Sequence, residues 1–192
     1  MQVKQLPELQ GQKRLAVVFG SGEEMIGGLA DLTKIRSIAG AYFTGIGALR
    51  AAMLGFFDIT RREYRRFGID EQVEVLSLSG NIAHEDGEPR IHAHIVVGRF
   101  NGATLGGHLL EAHVRPTLEV ILIETPAALR RRFDPATGLA LLDLSDPPRS
   151  RRGAHLGGVT VALARRWFRK RRKSMTTVAI KFAPMMAAGV MV

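Results

Sequence analysis

Apolar residues up to Asp146 occur in short runs separated by Gly, Asn, Asp and Pro, a pattern typical of β-strands joined by tight connections. Asn101-Gly102, between two such runs, is the strongest hairpin signal in the chain. The predicted strands are Arg14–Phe19, Glu71–Gly80, Ile91–Phe100, Ala103–Leu110 and Thr117–Glu124. Ala41–Asp58 is predicted to hold several short strands, and Asp58–Tyr64 a strand edge or turn. The segments Arg130–Asp134 and Thr137–Leu144 close this part of the chain.

One segment has the apolar spacing of an α-helix. Its apolar residues, from Met25 to Ile38, recur mostly every three or four positions, and Glu23 and Glu24 supply the negative charge that a helix N-terminus favours. Ser21 is the candidate N-cap, and Gly27-Gly28 leaves open a later start because glycine disfavours helix. Many strands with one or two helices predict an α+β class with a mainly antiparallel sheet.

The composition is that of a folded domain. The chain has 192 residues, of which 46% are hydrophobic and 23% charged, values close to the globular average that exclude wholesale disorder. It contains no cysteine, which excludes disulfides, cysteine zinc sites and thiol nucleophiles. His, Asp and Glu therefore remain as candidate metal ligands.

The net charge of +9 is unevenly distributed along the chain. Residues 1–146 hold 16 Lys and Arg against all 18 Asp and Glu, a net charge of −2, whereas residues 147–192 hold 11 Lys and Arg and no acid. The composition changes at Asp146-Pro147-Pro148. We predict a domain over residues 11–146 and a basic and apolar extension over residues 147–192 that is disordered or partly helical.

Neither terminal segment predicts a membrane association. Residues 1–8 lack the apolar core of a signal peptide, so a cytoplasmic location is expected. Met175–Val192 is mostly apolar, but it contains Lys181 and Pro184 and barely reaches the length that spans a bilayer. We therefore expect no transmembrane helix there.

Four of the six histidines, His92, His94, His108 and His113, lie close together in the sequence. Side chains two positions apart in a strand share a face, so His92 and His94 project together and could bind a divalent metal such as zinc. A two-residue Asn101-Gly102 turn would place His108 opposite Ile95, on the wrong face. One extra residue would place it opposite Val96, on the right face, and Gly106-Gly107 is the natural position for such a bulge.

An alternative to a metal site remains open for these histidines, and so does the role of Glu119. They could be half-buried polar residues hydrogen-bonded to the backbone or to Glu119, and Glu119 itself could be a ligand, a partner of a ligand or an ordinary strand residue. His84 and His155 lie in loop-like contexts and receive no role. No nucleophile elbow, phosphate-binding loop or dinucleotide fingerprint is present in the sequence, so a catalytic function has no second supporting motif.

An ordered series of motifs closely resembles the plants and prokaryotes conserved (PPC) domain family, whose plant members carry AT-hooks. The matching segments are Gly22–Glu24, Gly45–Ala48, Glu74–Ile82, Asp86-Gly87, His92–His94, Asn101–Leu109, Val114–Val120 and Asp134–Leu139. The resemblance implies a compact α+β homotrimer with a DNA-binding or transcription-related role. It also implies a metal-site signature that falls here on His92, His94 and His108.

The AT-hook core, Arg-Gly-Arg-Pro, is absent, so binding to the DNA minor groove cannot be inherited from the plant proteins. The extension supplies another means of contacting phosphates, since its cations could release counterions from DNA and Trp167 could stack on bases. The candidate DNA-binding residues are Arg165, Arg166, Trp167, Arg169, Lys170, Arg171, Arg172 and Lys173. The competing hypotheses are a metal-dependent enzyme or small-molecule-binding protein that uses the three histidines, and an assembly module that binds neither metal nor nucleic acid.

Overall fold

Residues 1–145 are described by the computed structural model, and most of them are β-strand. All pairings between the named strands are antiparallel, and one helix packs on the sheet, so the predicted α+β class is confirmed. The elements are β1 (Gln2–Leu9), β2 (Gln12–Gly20), α1 (Met25–Arg36), β3 (Ala41–Asp58), β4 (Glu63–Ile69), β5 (Val73–Glu85), β6 (Glu88–Gly98), β7 (Thr104–Glu124), β8 (Arg131–Asp134) and β9 (Leu139–Leu142).

Seven strands form one sheet in the order β1-β2-β7-β6-β5-β3-β4, and β8 and β9 form a separate hairpin. An additional pairing of β7 with β3 joins β7, β6, β5 and β3 into a closed ring. The long strand β7 makes this possible, because its first half pairs with β6 and its second half with β2, while β3 follows its other edge. His108, near the start of β7, is thereby paired on both edges, with His94 of β6 and Gly55 of β3.

The hydrophobic core lies between the inner face of the sheet and α1. Met25, Leu29 and Leu32 of the helix pack with Phe19 and with alternate residues of the long strands. On β6, the buried residues Ala93, Ile95 and Val97 contribute to this core, so the residues between them face outward. The alternation therefore places His92 and His94 on the outer face. Within residues 1–145, no helix has both the length and the apolar character needed to span a bilayer.

Two strand predictions were wrong in length. The glycine-rich Ala41–Asp58 segment is one strand, β3, rather than several short ones, and Thr117–Glu124 is the second half of β7 rather than a strand of its own. Shifts in the register of β3 against β5 and β7 absorb the irregular residues without ending the strand. Gly47 lies at one of these shifts with φ +149°, and a Cβ there would come within 2.3 Å of the Thr117 carbonyl oxygen.

The start of the helix also differs from the expectation. Glu24, not Ser21, is the N-cap, and its carboxylate accepts hydrogen bonds from the backbone N–H groups of Ile26 (2.9 Å) and Gly27 (2.7 Å). The helix begins at Met25 in spite of the two glycines. Packing explains the glycine at position 28, because a Cβ there would lie 2.6 Å from the Phe19 ring.

Candidate metal centre

The hairpin of β6 and β7 brings His108 to the same face as His92 and His94. His108 lies directly opposite His94, and Val96 lies opposite Gly106. Across the other edge of β6, His92 pairs with Asn81 of β5, and across the other edge of β7, His108 pairs with Gly55 of β3. The three rings therefore meet on the outer face of two adjacent strands.

The predicted face is correct, but both predicted registers are wrong. The loop contains three residues, because the Arg99 N–H donates to the Ala103 carbonyl (2.8 Å) and the Gly102 N–H donates to the Arg99 carbonyl (2.9 Å). Gly102 has φ +81°, which is the left-handed conformation found at the last position of such loops. Compared with the two-residue turn considered above, the extra residue therefore lies in the turn itself. Pairing is regular through Gly106-Gly107, where a bulge was expected.

The geometry of the three rings suits one small cation. Their centroids are 5.1 to 5.4 Å apart, and one ring nitrogen from each lies within 4.8 Å of the other two. Tetrahedral zinc with nitrogen ligands needs those nitrogens roughly 3.3 Å apart, so the rings would have to move closer together to bind it. His92 and His108 are half-buried and His94 is exposed, so one side of the group remains open to solvent.

The electrostatics favour neutral imidazoles, the form that binds metal. Burial, followed by the charges of His92, His94 and Arg131, lowers the pKa of His108 to about 4. Burial and the charges of Arg131 and His94 also lower the pKa of His92. Nδ1 of His108 is buried and has no hydrogen-bond partner among the described residues. An unpaired buried nitrogen is costly, and coordination of a cation is one means of satisfying that ring.

Tyr64 of β4 covers one side of the group. Its ring stacks on His108 with centroids 4.9 Å apart and an interplanar angle of 29°. The stack needs Gly55, because a Cβ at that position would come within 2.8 Å of Cδ1 of Tyr64. Burial raises the pKa of Tyr64, so its phenol stays protonated at neutral pH. Tyr64 was missed because its segment had been interpreted only as a strand edge or turn.

Arg131 of β8 lies on another side of the group. Its Nη2 donates to Oδ1 of Asn81 (2.7 Å) and its Nη1 donates to the carbonyl oxygen of Ala140 (2.9 Å). Because Asn81 is the cross-strand partner of His92, these contacts fix the guanidinium beside the histidines. The sequence carried no signal for this contact, since β8 reaches the site only through the tertiary fold.

The other candidate ligands lie outside the group. Glu119 is exposed on the second half of β7 and pairs with Ile46 and Val18, so neither a ligand role nor a hydrogen bond to these histidines is supported. His113 lies next to Glu24 and 3.7 Å from Glu111, and His84 Nε2 lies 2.8 Å from the Ile38 carbonyl oxygen. His92, His94 and His108 form the one group with metal-binding geometry within residues 1–145.

The predicted DNA-binding residues, from Arg165 to Lys173, lie outside the described residues, as do His155 and the apolar segment Met175–Val192. The charge of the described part of the chain is close to balanced. Its exposed arginines include pairs with acids, among them Arg65 with Asp58 at 2.7 Å. The case for DNA binding by the extension therefore rests on the sequence.

A sequence model of the Plants and Prokaryotes Conserved (PCC) domain, the family abbreviated PPC above, matches residues 7–126. That match covers more than half of the chain and includes all three histidines. The chain belongs to this family. The predicted resemblance is thereby confirmed, and the fold described above is that of a PPC protein.

Solved structures of two related proteins align with most of the PPC chain. A metal-containing protein from Archaeoglobus fulgidus is 33% identical, with a TM-score of 0.64 over 68% of this chain and 92% of its own. A protein from Ralstonia eutropha JMP134, whose name proposes a DNA-binding role, is 30% identical, with a TM-score of 0.67 over 74% of this chain and 96% of its own.

One curated relative is much longer than the match. The bifunctional protein GlmU of Synechococcus sp. (strain JA-3-3Ab) is 33% identical over 102 residues, which are 52% of this chain but 15% of GlmU. The chain therefore spans a small part of that relative.

Proposed function

We propose that this PPC protein binds a divalent metal ion, most simply Zn²⁺, through His92, His94 and His108. The observation that carries the proposal is the convergence of three ring nitrogens within 4.8 Å on one face of the β6–β7 hairpin. The hydrogen-bonded alternative would give these rings carbonyl or carboxylate partners, as His84 has. Here the rings face one another instead, and the metal-containing relative from Archaeoglobus fulgidus adds support.

The donor set fits zinc better than the harder cations. Imidazole nitrogens suit zinc and the later transition metals, whereas magnesium and calcium prefer oxygen ligands, of which this group has none. Three protein ligands leave one tetrahedral position for a water molecule or another ligand, whereas structural zinc sites use four protein ligands. When bound, the metal would supply Lewis acidity, while Tyr64 and Arg131 would limit access to it from two sides.

Metal analysis of the protein purified without an affinity tag tests this proposal. We expect about one zinc ion per chain in the wild type and a loss of more than about tenfold in affinity for His92→Ala/His94→Ala, since imidazole ligands dominate such sites. His113→Ala is the matched control, because His113 lies on β7 but outside the group. Equal metal content in the double variant and the wild type would refute the assignment.

We propose, as a second function, association with DNA through the basic extension of a PPC homotrimer. Support comes from the 11 Lys and Arg in residues 147–192 with no acid among them, and from the proposed DNA-binding role of the Ralstonia relative. Gel-shift measurements over a salt series test it. The full chain is expected to bind with an affinity that falls steeply with salt, and a chain ending at residue 146 is expected to bind much more weakly. Equal binding by the two chains would remove the role assigned to Arg165–Lys173.

A further inference from the structure

Arg131 is a half-buried cation that contacts neutral groups. Its two hydrogen bonds, to the Asn81 amide and the Ala140 carbonyl, use two of the five N–H groups that a guanidinium carries. Its Nε is buried and has no partner among the described residues. Burial lowers the pKa of Arg131, because the charged form loses solvation. Among the described residues the side chain is therefore fixed in place without a direct ion-pair partner, although the charge of Glu85 acts on it and opposes part of the effect of burial.

The acids near Arg131 bind other partners. Glu85 pairs with Arg90 at 2.9 Å, and Asp143 lies 3.4 Å from Arg132, the neighbouring residue of β8. The extension offers no substitute, since residues 147–192 contain neither Asp nor Glu. A partly buried charge whose nearest acid is directly paired with another cation is unfavourable unless a ligand supplies a further negative charge.

The positive charge of Arg131 lies next to the metal centre. It lowers the pKa of both His92 and His108, and its partner Asn81 pairs with His92 across the sheet. Three neutral imidazoles leave the charge of a bound divalent cation uncompensated and one coordination position open. A metal ion and a guanidinium would thus form two adjacent positive centres, and no described carboxylate lies in the group between them.

We propose that the metal-loaded centre binds a small oxyanion, a carboxylate or inorganic phosphate, with one oxygen on the metal and another accepting hydrogen bonds from Arg131. The planar guanidinium matches the spacing of oxygens in these anions, whereas its protein partners here are single neutral oxygens. This inference rests on the proposed metal function, because the metal supplies half of the positive charge that holds the anion in place. Binding involves no covalent step.

Anion titration of the Co²⁺-loaded full chain tests the inference, since the visible spectrum of Co²⁺ reports its ligands. Acetate and inorganic phosphate are added in separate titrations, in a buffer that contains neither. Comparison of the two titrations distinguishes a site for carboxylates from a site for phosphate. We expect a saturable spectral change with at least one of them. Arg131→Gln, compared with the wild type after both are saturated with Co²⁺, is expected to bind that anion at least about tenfold more weakly.

Two further variants make the result specific. Arg132→Gln removes an exposed charge from the adjacent position of β8, where Arg132 faces Asp143, and is expected to keep the wild-type anion affinity. Arg131→Lys keeps the positive charge but lacks the planar guanidinium, so it is expected to lose part of the anion affinity. This second substitution tests the same role even if the Gln variant misfolds.

The possible failures are distinguishable. A Co²⁺ spectrum that neither anion changes, or equal anion affinity in Arg131→Gln and the wild type, would overturn the anion site while leaving the metal site intact. An equal loss in Arg131→Gln and Arg132→Gln would also overturn it, since that would be a general charge effect. No uptake of Co²⁺ by the wild type would refute the metal function, and the anion site with it.

Discussion

The ring of His108 is kept neutral by its surroundings, chiefly by burial between Tyr64 and the two neighbouring histidines. Its pKa is about 4 in the folded protein against 6.5 for an unperturbed histidine, so the unfolded chain takes up the proton more readily between these values. The contribution of His108 to stability is therefore complete above about pH 6.5 and is lost as the pH falls towards 4.

We predict that His108→Gln weakens this pH dependence. In urea unfolding with EDTA present, the free energy of unfolding of the wild type should fall more between pH 7 and pH 4.5 than that of the variant, by about 1 kcal/mol once solvation of the half-exposed ring is allowed for. His113→Gln, on the same strand but outside the group, serves as the control and is expected to follow the wild type. Parallel pH profiles for wild type and His108→Gln would contradict the prediction.

At the same scale, a simple rule predicted from the sequence that two of the three candidate ligands share a face. The two-residue period of a strand places His92 and His94 on one face whatever the partner strand does. The position of His108 depends on how many residues the turn contains, which a dipeptide such as Asn101-Gly102 does not determine, since Phe100 also belongs to the loop. Tyr64 and Arg131 could not be predicted, because they lie on β4 and β8, which are distant in sequence from the β6–β7 hairpin.

At the scale of elements, the close packing of β3, β4 and β7 supports the candidate metal centre. Gly55 of β3 lies between Tyr64 of β4 and His108 of β7, and a Cβ there would meet Cδ1 of Tyr64 at 2.8 Å and Cδ1 of Leu110 at 3.3 Å. We predict that Gly55→Ala displaces the Tyr64 ring and costs about 1–3 kcal/mol of stability, as overpacking does. Urea unfolding measures the cost, and the metal affinity should fall as well because His108 loses its stacking partner.

Gly68→Ala is the matched control for that substitution. Gly68 lies on β4, and a Cβ there would meet only Cε of Met53, at an ordinary 3.7 Å. This variant is expected to unfold at or near the wild-type urea concentration. Equal stability of the Gly55 and Gly68 variants would show that Tyr64 can move aside freely and that the stack does not position His108.

Glycines also explain which elements the sequence failed to predict. Gly45, Gly47 and Gly55 were interpreted as breaks between short strands, but they mark register shifts and close approaches within the continuous strand β3. A glycine in a strand pattern can mark either the end of a strand or an irregularity within one, and the pairing of the neighbouring strands decides which of the two occurs. Most strand locations followed from short apolar runs bounded by turn residues, although β1 was not predicted. The joining of segments into β3 and β7 depends on those long-range pairings.

At the scale of the whole molecule, the sheet leaves large apolar side chains exposed on adjacent strands. Phe56 of β3 is 67% exposed, and Phe67 of β4, which pairs with Leu54 two positions before Phe56, is 39% exposed. Exposed aromatic residues grouped in this way are commoner at protein interfaces than on free surfaces. The homotrimer implied by the PPC resemblance would give such residues partners in neighbouring copies.

We predict that light scattering finds an assembly of three chains in both cases, about three times 21.0 kDa for the full protein and three times its own smaller mass for a chain ending at residue 146. The shorter chain should assemble because the described strands, rather than the extension, would form the interface.

In such a trimer three extensions would act together on one DNA molecule, so a higher effective concentration would raise the DNA affinity beyond that of a single extension. A monomer at micromolar concentration would contradict the trimer, and weak DNA binding by one extension would then have no such reinforcement.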